Sequence, residues 1–182
     1  MFRSRAITGS RAIAAILIMI SATPNPRNLT PSADGDFAAA LNERLGGWSA
    51  AMGLHFIHAT ADSVKAELEI GPDHRQAYGI VHGGVHSGVI ETVASVGAAL
   101  AAMPRGQSVV GLENHTSFLL AVREGKLHVT AHPLMRGKRT QIWEANVTDD
   151  AGRTVATGRV RLIALEGSMT ADGSSAQRST EK

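Results

Sequence analysis

The fold of this chain is decided by residues 83–100, which read GGVHSGVIETVASVGAAL. Apolar or very small residues occupy nearly every position, and a helix that is apolar on all sides is buried on all sides. The stretch from Gly83 to Ala102 is the longest helical candidate, and we expect it to form a central helix. Gly88 and Gly97 each weaken a helix by about 1 kcal/mol relative to alanine, which predicts a closely packed neighbour at both positions.

Glu91 is the only formal charge between Arg75 and Arg105. Burial of an unpaired carboxylate is unfavourable by several kcal/mol, so Glu91 needs hydrogen-bond partners or a shifted pKa. Perturbed carboxylates concentrate at functional sites, which makes Glu91 a candidate catalytic group. The alternative is a structural glutamate satisfied by backbone or hydroxyl groups. Ser95 lies one turn further on the same face, where it either contacts the carboxylate or serves only as a small packing residue.

The start of the helix carries a second candidate feature, the pair Gly83-Gly84. Amides of a first helical turn have no partner inside the helix, and glycine lets a substrate carbonyl approach them. His82 and His86 are spaced four residues apart, but the zinc-protease pattern His-Glu-x-x-His is absent and we expect no metal. We expect His82 to position loop or substrate groups, and His86 to be a satisfied histidine at the helix surface or a dimer seam.

Strand-like alternation flanks the predicted helix. Residues 52–70 alternate before it, and four runs follow it: 108–119, 126–136, 140–148 and 154–165. The breaks at 123–125, 137–138 and 149–152 are short enough for hairpins. A short helix is predicted from Asp36 to about Leu45, ended by Gly46-Gly47. The pattern predicts an α+β fold in which an antiparallel meander wraps around one helix.

Composition restricts the function classes. The chain has 182 residues, 43% of them hydrophobic and 19% charged, which suits one globular domain. There is no cysteine, so disulfides and thiolate metal sites are excluded. Four of the 18 Lys and Arg residues lie in residues 1–27, leaving 14 basic against 16 acidic residues, so no nucleic-acid-binding surface is indicated.

The two ends of the chain are predicted to lie outside the domain. Residues 1–36 are interpreted as a disordered leader and linker, because arginines precede an apolar run and then small residues, as in a signal peptide. A wrongly assigned start codon would give the same pattern, and the apolar run is too short to span a bilayer. We expect the domain to cover residues 37–166 and residues 167–182 to form a disordered tail.

The motif Gly79-Ile80-Val81-His82-Gly83-Gly84, followed by an acid nine residues after the histidine, resembles the PaaI-like thioesterases of the hotdog fold. The glutamate form is similar to the 4-hydroxybenzoyl-CoA and 1,4-dihydroxy-2-naphthoyl-CoA thioesterases. The resemblance runs from about residue 45 to 165 and includes the phrases at 109–113, 123–125, 133–137 and 141–143. It implies a hotdog fold, hydrolysis of an acyl-CoA, and a homodimer or a dimer of dimers.

The resemblance also implies roles for individual residues. Glu91 matches the catalytic carboxylate, acting as nucleophile or general base, and the Gly83 amide matches the donor to the thioester oxygen. The matching positions for substrate contact, hydrolytic assistance and the motif histidine are Gln76, Ser95 and His82. The cations expected near the CoA phosphates lie in a turn that is otherwise a solvated basic loop: Arg136, Gly137, Lys138 and Arg139.

One position departs from the resemblance. The menaquinone branch carries a histidine late in the strand after the central helix, where this chain has Phe118, with His115 nearby. The acyl group is therefore open among aromatic, naphthoyl and medium-chain substrates. We expect a cytoplasmic location, because CoA esters are found there, with export as the alternative if the signal-like leader is real. We expect no cofactor, no nucleic acid and no stable membrane association. The alternatives are a hotdog dehydratase of 3-hydroxyacyl thioesters and a non-catalytic acyl-CoA-binding protein.

Overall fold

The computed structural model describes residues 29–166, in which a six-stranded antiparallel sheet curves around one long helix. The strand order is β1-β2-β4-β5-β6-β3. The helices are α1 (Ala38–Asn42), α2 (Gly47–Ala51) and α3 (Gly83–Ala102), and the strands are β1 (His55–Ala59), β2 (Val64–Glu69), β3 (Ser108–Phe118), β4 (Lys126–Arg136), β5 (Thr140–Thr148) and β6 (Thr154–Leu165). This arrangement confirms the predicted α+β hotdog fold.

The central helix α3 has the bounds that the sequence predicted, and more than half of its residues are buried. Both helix glycines face aromatic rings, as expected from their poor helix propensity. A side chain at Gly88 would overlap the ring of Trp48, and a side chain at Gly97 would overlap the ring of Trp143. Residues 83–105 are long and apolar enough to cross a membrane by length and composition, but 61% of an apolar 18-residue stretch within them is buried inside the fold. This burial is typical of a core helix.

The sheet topology corrects the predicted meander. Strands β4, β5 and β6 do form a meander. Strand β3, however, pairs with β6 and not with β4, and β4 pairs with β2 and β5. The break at 123–125 is therefore not a hairpin. It belongs to a connection that leaves β3 at one edge of the sheet and crosses past the start of α3, where Val122 accepts a hydrogen bond from the Val81 amide. A short polar break ends a strand, but it does not determine which strand becomes the neighbour.

A β-bulge changes which residues of β3 face the helix. The register with β6 shifts between Gly111 and Glu113. Side chains alternate between sheet faces, so one extra residue reverses the alternation. Before the bulge Gly111 faces α3, and after it Asn114 and Phe118 do. The predicted alternation ran unbroken through Leu112, which is instead 52% exposed.

The segment before β1 differs in detail from the prediction. Asp36 does accept a hydrogen bond from the Ala38 amide at 2.7 Å, but α1 ends at Asn42 rather than near Leu45. Gly46-Gly47 does not end the helical region, since α2 begins at Gly47. The Asn42 side chain bonds to both backbone groups of Phe56 in β1, which explains why α1 ends there.

Part of the predicted linker is packed on the domain. Leu29 is 8% exposed and belongs to the core, and Asp36 also accepts a hydrogen bond from the Ala59 amide at 3.0 Å. Leu29 and Asp36 therefore contact the domain, whereas residues 30–35 are exposed, and the expected domain bounds of 37–166 stay a prediction. The predicted leader at 1–28 and the predicted tail at 167–182 lie outside the described residues.

Candidate active site

Glu91 lies in the middle of α3, half-buried between that helix and the edge strand β3. The Asn114 side-chain nitrogen donates to Glu91 Oε2 at 3.1 Å, and Ser95 Oγ donates to Oε1 at 3.4 Å. Gly111 supplies the space on the strand side, because a Cβ at that position would overlap Glu91 Oε1. The predicted contact between Ser95 and Glu91 is present in the structure.

The electrostatic setting of Glu91 is that of a carboxylate without a cation. Burial raises the pKa of Glu91, and the hydrogen bonds from Asn114 and Ser95 lower it only in part. The ion pairs formed by the other carboxylates of residues 29–166, such as Glu67 with Lys126 and Glu113 with Arg161, do not extend to Glu91. A partly desolvated carboxylate with a raised pKa is suited to attack an electrophile or to take a proton from water.

Asn114 is a site residue that the sequence did not single out. Its side-chain nitrogen bridges Glu91 and the Ser87 carbonyl oxygen, and its side-chain oxygen accepts from Thr116 Oγ1 at 2.7 Å. The available signal was a polar pair, Asn114 and Thr116, on a strand predicted to pack on the helix. The bulge that turns this pair toward Glu91 has no recognisable sequence pattern.

The first turn of α3 presents a backbone amide. His82 caps the helix, with its Nδ1 accepting from the Gly84 amide at 2.8 Å, and the Val85 amide donates to the His82 carbonyl oxygen. The His82 ring therefore carries a proton only on Nε2 when it is neutral. Within residues 29–166 the Gly83 amide makes no hydrogen bond. An unpaired amide at the positive end of a helix is suited to bind a developing oxyanion.

The Phe118 ring stands against this amide. A Cβ built on Gly83 would lie 2.9 Å from Phe118 Cζ, so glycine is required for the ring to approach this closely. The ring centroid also lies 6.2 Å from that of His86, with the planes tilted by 40°. The position that departs from the menaquinone branch is thus adjacent to the predicted oxyanion donor.

His86 differs from its predicted setting. It is 4% exposed rather than at the helix surface, and its Nδ1 has no hydrogen-bond partner among the described residues, so it is not satisfied. Burial lowers the pKa of His86, which favours the neutral ring. A dimer seam was the other predicted setting, and that part stays a prediction.

Gln76 lies on a tight loop before α3. The Gln76 backbone N–H donates to the Ile80 carbonyl oxygen at 2.9 Å, and the Gln76 backbone carbonyl oxygen accepts from the Gly79 backbone N–H at 2.8 Å. Arg123 closes the loop from outside by donating to the Tyr78 carbonyl oxygen at 2.9 Å. The loop holds Gln76 near the start of the helix, and Gln76 forms no hydrogen bond with Glu91.

One chain does not bring all the predicted groups together. Glu91 follows Gly83 by eight residues, which is about 12 Å along a helix axis. A thioester carbon next to the Glu91 carboxylate is therefore out of reach of the Gly83 amide of the same chain. The predicted combination of Glu91 and the Gly83 amide is therefore not formed within one chain.

The predicted phosphate-binding cations lie at the β4–β5 turn, near the opposite end of α3. Gln107, five residues after the helix, donates to the Lys138 carbonyl oxygen at 3.3 Å, and the side chains of Lys138 and Arg139 are exposed. Arg136 is engaged elsewhere, since it pairs with Asp62 at 2.8 Å and donates to the Ala61 carbonyl oxygen. The Gly137 amide is used to close the turn onto Thr140.

Metal binding depends on how the histidine and carboxylate side chains are grouped. Across residues 29–166, no group of three or more His, Asp or Glu side chains is placed to hold a metal ion. His82 Nδ1 is occupied by the Gly84 amide, so the His82 and His86 pair does not form a ligand set through that atom. The expectation that the protein needs no metal or organic cofactor stays a prediction.

This chain is similar to known proteins that are named as thioesterases, esterases or CoA-ester hydrolases. Residues 78–156 match the thioesterase superfamily. The Mycobacterium tuberculosis protein Rv1847, which carries the name of an esterase, is 43% identical over 117 residues, covering 63% of this chain and 84% of Rv1847. The 1,4-dihydroxy-2-naphthoyl-CoA hydrolase of Escherichia coli K12 is 30% identical over 112 residues, covering 62% of this chain and 82% of that enzyme.

Solved structures agree with the sequence relatives. The structure of Rv1847 superposes with a TM-score of 0.65 at 41% identity, covering 65% of this chain and 96% of that chain. AziG of S. sahachiroi superposes with a TM-score of 0.65 at 39% identity, covering 68% of this chain and 99% of AziG. The helix, the curved sheet and these relatives lead to one conclusion: the chain is an enzyme of the thioesterase superfamily, with the hotdog fold.

Proposed function

We propose that this enzyme hydrolyses acyl-CoA thioesters, with Glu91 as the reacting carboxylate and the Gly83 amide as the oxyanion donor. The observation that carries the proposal is Glu91 itself. It is half-buried on the central helix, it has a raised pKa, and neutral hydrogen-bond donors rather than a cation contact it.

Two routes lead from this carboxylate to the products. In the first, a Glu91 oxygen attacks the thioester carbon, CoA leaves as the thiolate, and water hydrolyses the resulting anhydride to regenerate Glu91 and release the acid. In the second, Glu91 takes a proton from water, and the hydroxide formed attacks the carbon directly. Both routes place negative charge on the thioester oxygen, where a helix-terminal amide stabilises it. Ser95 assists by holding the carboxylate or the water.

The separation of Gly83 from Glu91 supports a site shared between two copies of the chain. A two-fold axis across paired central helices would place Gly83 of one copy beside Glu91 of the other, and both sites would then be equivalent. We therefore propose a homodimer, alone or paired into a tetramer, as the active form. His82 and Gln76 would contact the substrate from the Gly83 side.

The acyl group is proposed at the level of a class. The name of the E. coli relative makes naphthoyl-CoA a candidate, and benzoyl and medium-chain acyl-CoA esters are the others. Phe118 next to Gly83 supports an apolar or aromatic acyl group, because an exposed ring at that position offers a stacking face.

The exposed Lys138 and Arg139 suit the phosphates of CoA. We propose that the reaction takes place in the cytoplasm, where CoA esters are found.

The test is thiol release from a panel of acyl-CoA esters by the parent enzyme and by Glu91→Gln. Glutamine keeps the shape of the side chain but is neither a nucleophile nor a base, so kcat should fall by at least about 10³-fold. Glu67→Gln serves as the control, since Glu67 pairs with Lys126 on the sheet away from α3. Turnover by Glu91→Gln within tenfold of the parent would rule out the mechanism.

The same panel separates the alternatives. A 3-hydroxyacyl thioester dehydratase would change the absorbance of an enoyl thioester without releasing free CoA. A non-catalytic acyl-CoA-binding protein would bind the esters without turnover, and Glu91→Gln would not change the rate.

The shared site has its own test. Gly83→Pro removes the backbone N–H at a first helical position, where proline is well tolerated. Phe118→Ala removes the phenylalanine ring that a proline ring at position 83 would overlap. The double variant should lose activity relative to Phe118→Ala alone. Mixed with Glu91→Gln and refolded together, it should regain activity, because one site of each hybrid dimer then has both groups. Mixtures that stay inactive would contradict a shared site.

A further inference from the structure

We propose that Asn114, oriented by Thr116, is the residue that positions the Glu91 carboxylate and keeps it ionised. The inference rests on the proposed function of Glu91 as the reacting group. Asn114 is a positioning residue, because it acts on the carboxylate and not on the thioester.

The hydrogen bonds of Asn114 fix the direction of its amide. Its nitrogen donates to Glu91 Oε2 at 3.1 Å and to the Ser87 carbonyl oxygen at 3.0 Å, which uses both protons. Its oxygen accepts from Thr116 Oγ1 at 2.7 Å. A rotated amide would point its oxygen at both the carboxylate and the Ser87 carbonyl, and would lose the Thr116 donor. Three partners therefore hold the amide nitrogen toward Glu91.

The bulge in β3 makes this contact possible. Gly111 and Asn114 both face Glu91, yet they are three residues apart, and a regular strand would send them to opposite faces. The register shift between Gly111 and Glu113 supplies the extra residue. Bulges next to active sites commonly redirect a side chain in this way. Gly111 makes space for one carboxylate oxygen while Asn114 donates to the other.

The electrostatic consequence follows from the two opposing influences on Glu91. Burial raises the pKa of Glu91, and donation from Asn114 is the larger of the two hydrogen-bond contributions that lower it. Loss of the donor would leave burial less opposed, and the carboxylate would hold its proton to higher pH. Both catalytic routes need the ionised form.

The experiment is a pH titration of the Glu91 side-chain carboxyl by 13C NMR, with the resonance assigned from its absence in Glu91→Gln. In Asn114→Ala the midpoint should move to higher pH. In Asn114→Asp it should move further, because a like charge is added beside Glu91. Thr116→Val keeps the shape of the side chain but removes the hydroxyl, and should give a smaller upward shift. Thr116→Ser restores the hydroxyl and should titrate like the parent.

The pH dependence of kcat/KM is the second measurement of the effect of Asn114 on Glu91. The acid limb of kcat/KM should move with the NMR midpoint, so that Asn114→Ala loses roughly tenfold in kcat/KM below the midpoint, equivalent to one hydrogen bond to a charged group, and much less at high pH. A uniform loss at every pH, with unmoved NMR midpoints, would mean a merely structural role. Thr116→Ser behaving like Thr116→Val would also overturn the inference. Absence of thioesterase activity in the parent would defeat the proposed function, while the NMR midpoints would still decide whether Asn114 controls Glu91.

Discussion

Substitution of Gly97 by alanine should destabilise the fold, even though alanine is the better helix former. Gly97 faces the fully buried ring of Trp143, and a Cβ there would lie 3.0 Å from ring atom Cζ2 and closer to two other ring atoms. The ring has no room to retreat. Its Nε1 donates to Gln141 Oε1 at 3.0 Å, and the buried Gln141 in turn donates to the Ala98 carbonyl oxygen at 3.0 Å.

The magnitude follows from two opposing terms. Replacement of a helical glycine by alanine gains about 1 kcal/mol of helix propensity. Overpacking of a tight core is unfavourable by about 1–3 kcal/mol, and a ring whose hydrogen-bond partner, Gln141, is itself bonded to the helix belongs at the upper end. The net loss is about 2 kcal/mol in the free energy of unfolding. For a chain of this size that corresponds to a fall in Tm of roughly 4–8 °C.

Urea unfolding followed by circular dichroism measures this loss, at one protein concentration because an oligomer would make stability depend on it. Gly88→Ala is the matched control, with the same helix and the same propensity gain. Its neighbour, Trp48, is half-buried on the short helix α2 and is freer to move, so the loss should be smaller. In a Trp143→Phe background the Gly97→Ala loss should shrink. A Gly97→Ala variant as stable as the parent would refute the packing argument.

Three further predictions concern charge. The kcat/KM of the parent should rise with pH through a midpoint above the ordinary pKa of a glutamate, because burial raises the pKa of Glu91; a pH profile that is flat across that range would contradict this. Glu91→Gln should be more stable than the parent at neutral pH. The folded-state pKa of Glu91 is raised, so stability is lost as pH rises through it, and thermal melts at several pH values should show the advantage vanish below the unfolded-state pKa. Replacement of Lys138 and Arg139 by alanine should raise KM for an acyl-CoA but not for the same acyl group on pantetheine, which lacks the nucleotide phosphates. Arg136→Ala, which breaks the pair with Asp62, should not reproduce that selective effect, and an equal rise in KM for both substrates would argue against a phosphate site.

Local patterns predicted much of this molecule correctly. The bounds of α3, β4, β5 and β6 follow from hydropathy period and turn residues, which are properties of neighbouring positions. The close neighbours of Gly88 and Gly97 follow from helix propensity alone. The contact between Ser95 and Glu91 follows from the helical repeat, since residues four apart share a face.

The features that sequence reasoning missed depend on contacts between distant segments. The placement of β3 beside β6, and not beside β4, is a long-range choice that no short break encodes. The bulge at Leu112 adds one residue to β3 and none to its partner β6. It can therefore be recognised only when the pairing of the two strands is known. Asn114 could be identified as a site residue only once that register was known.

The position of Glu91 combines two requirements that oppose each other. A helix apolar on all sides is stable because it is buried, yet the proposed reaction requires the carboxylate to stay ionisable and to be reached by substrate. The chain meets both requirements on one side of α3, where β3 is an edge strand and covers the helix incompletely. There Gly111 has no side chain to overlap the carboxylate, and the Asn114 side chain donates a hydrogen bond to it in place of a cation. A cation would hold Glu91 ionised more strongly, but it would also pair with the group that we propose as nucleophile or base. A neutral donor leaves the carboxylate available for the proposed reaction, and this is the physical reason that we propose for an asparagine on this strand.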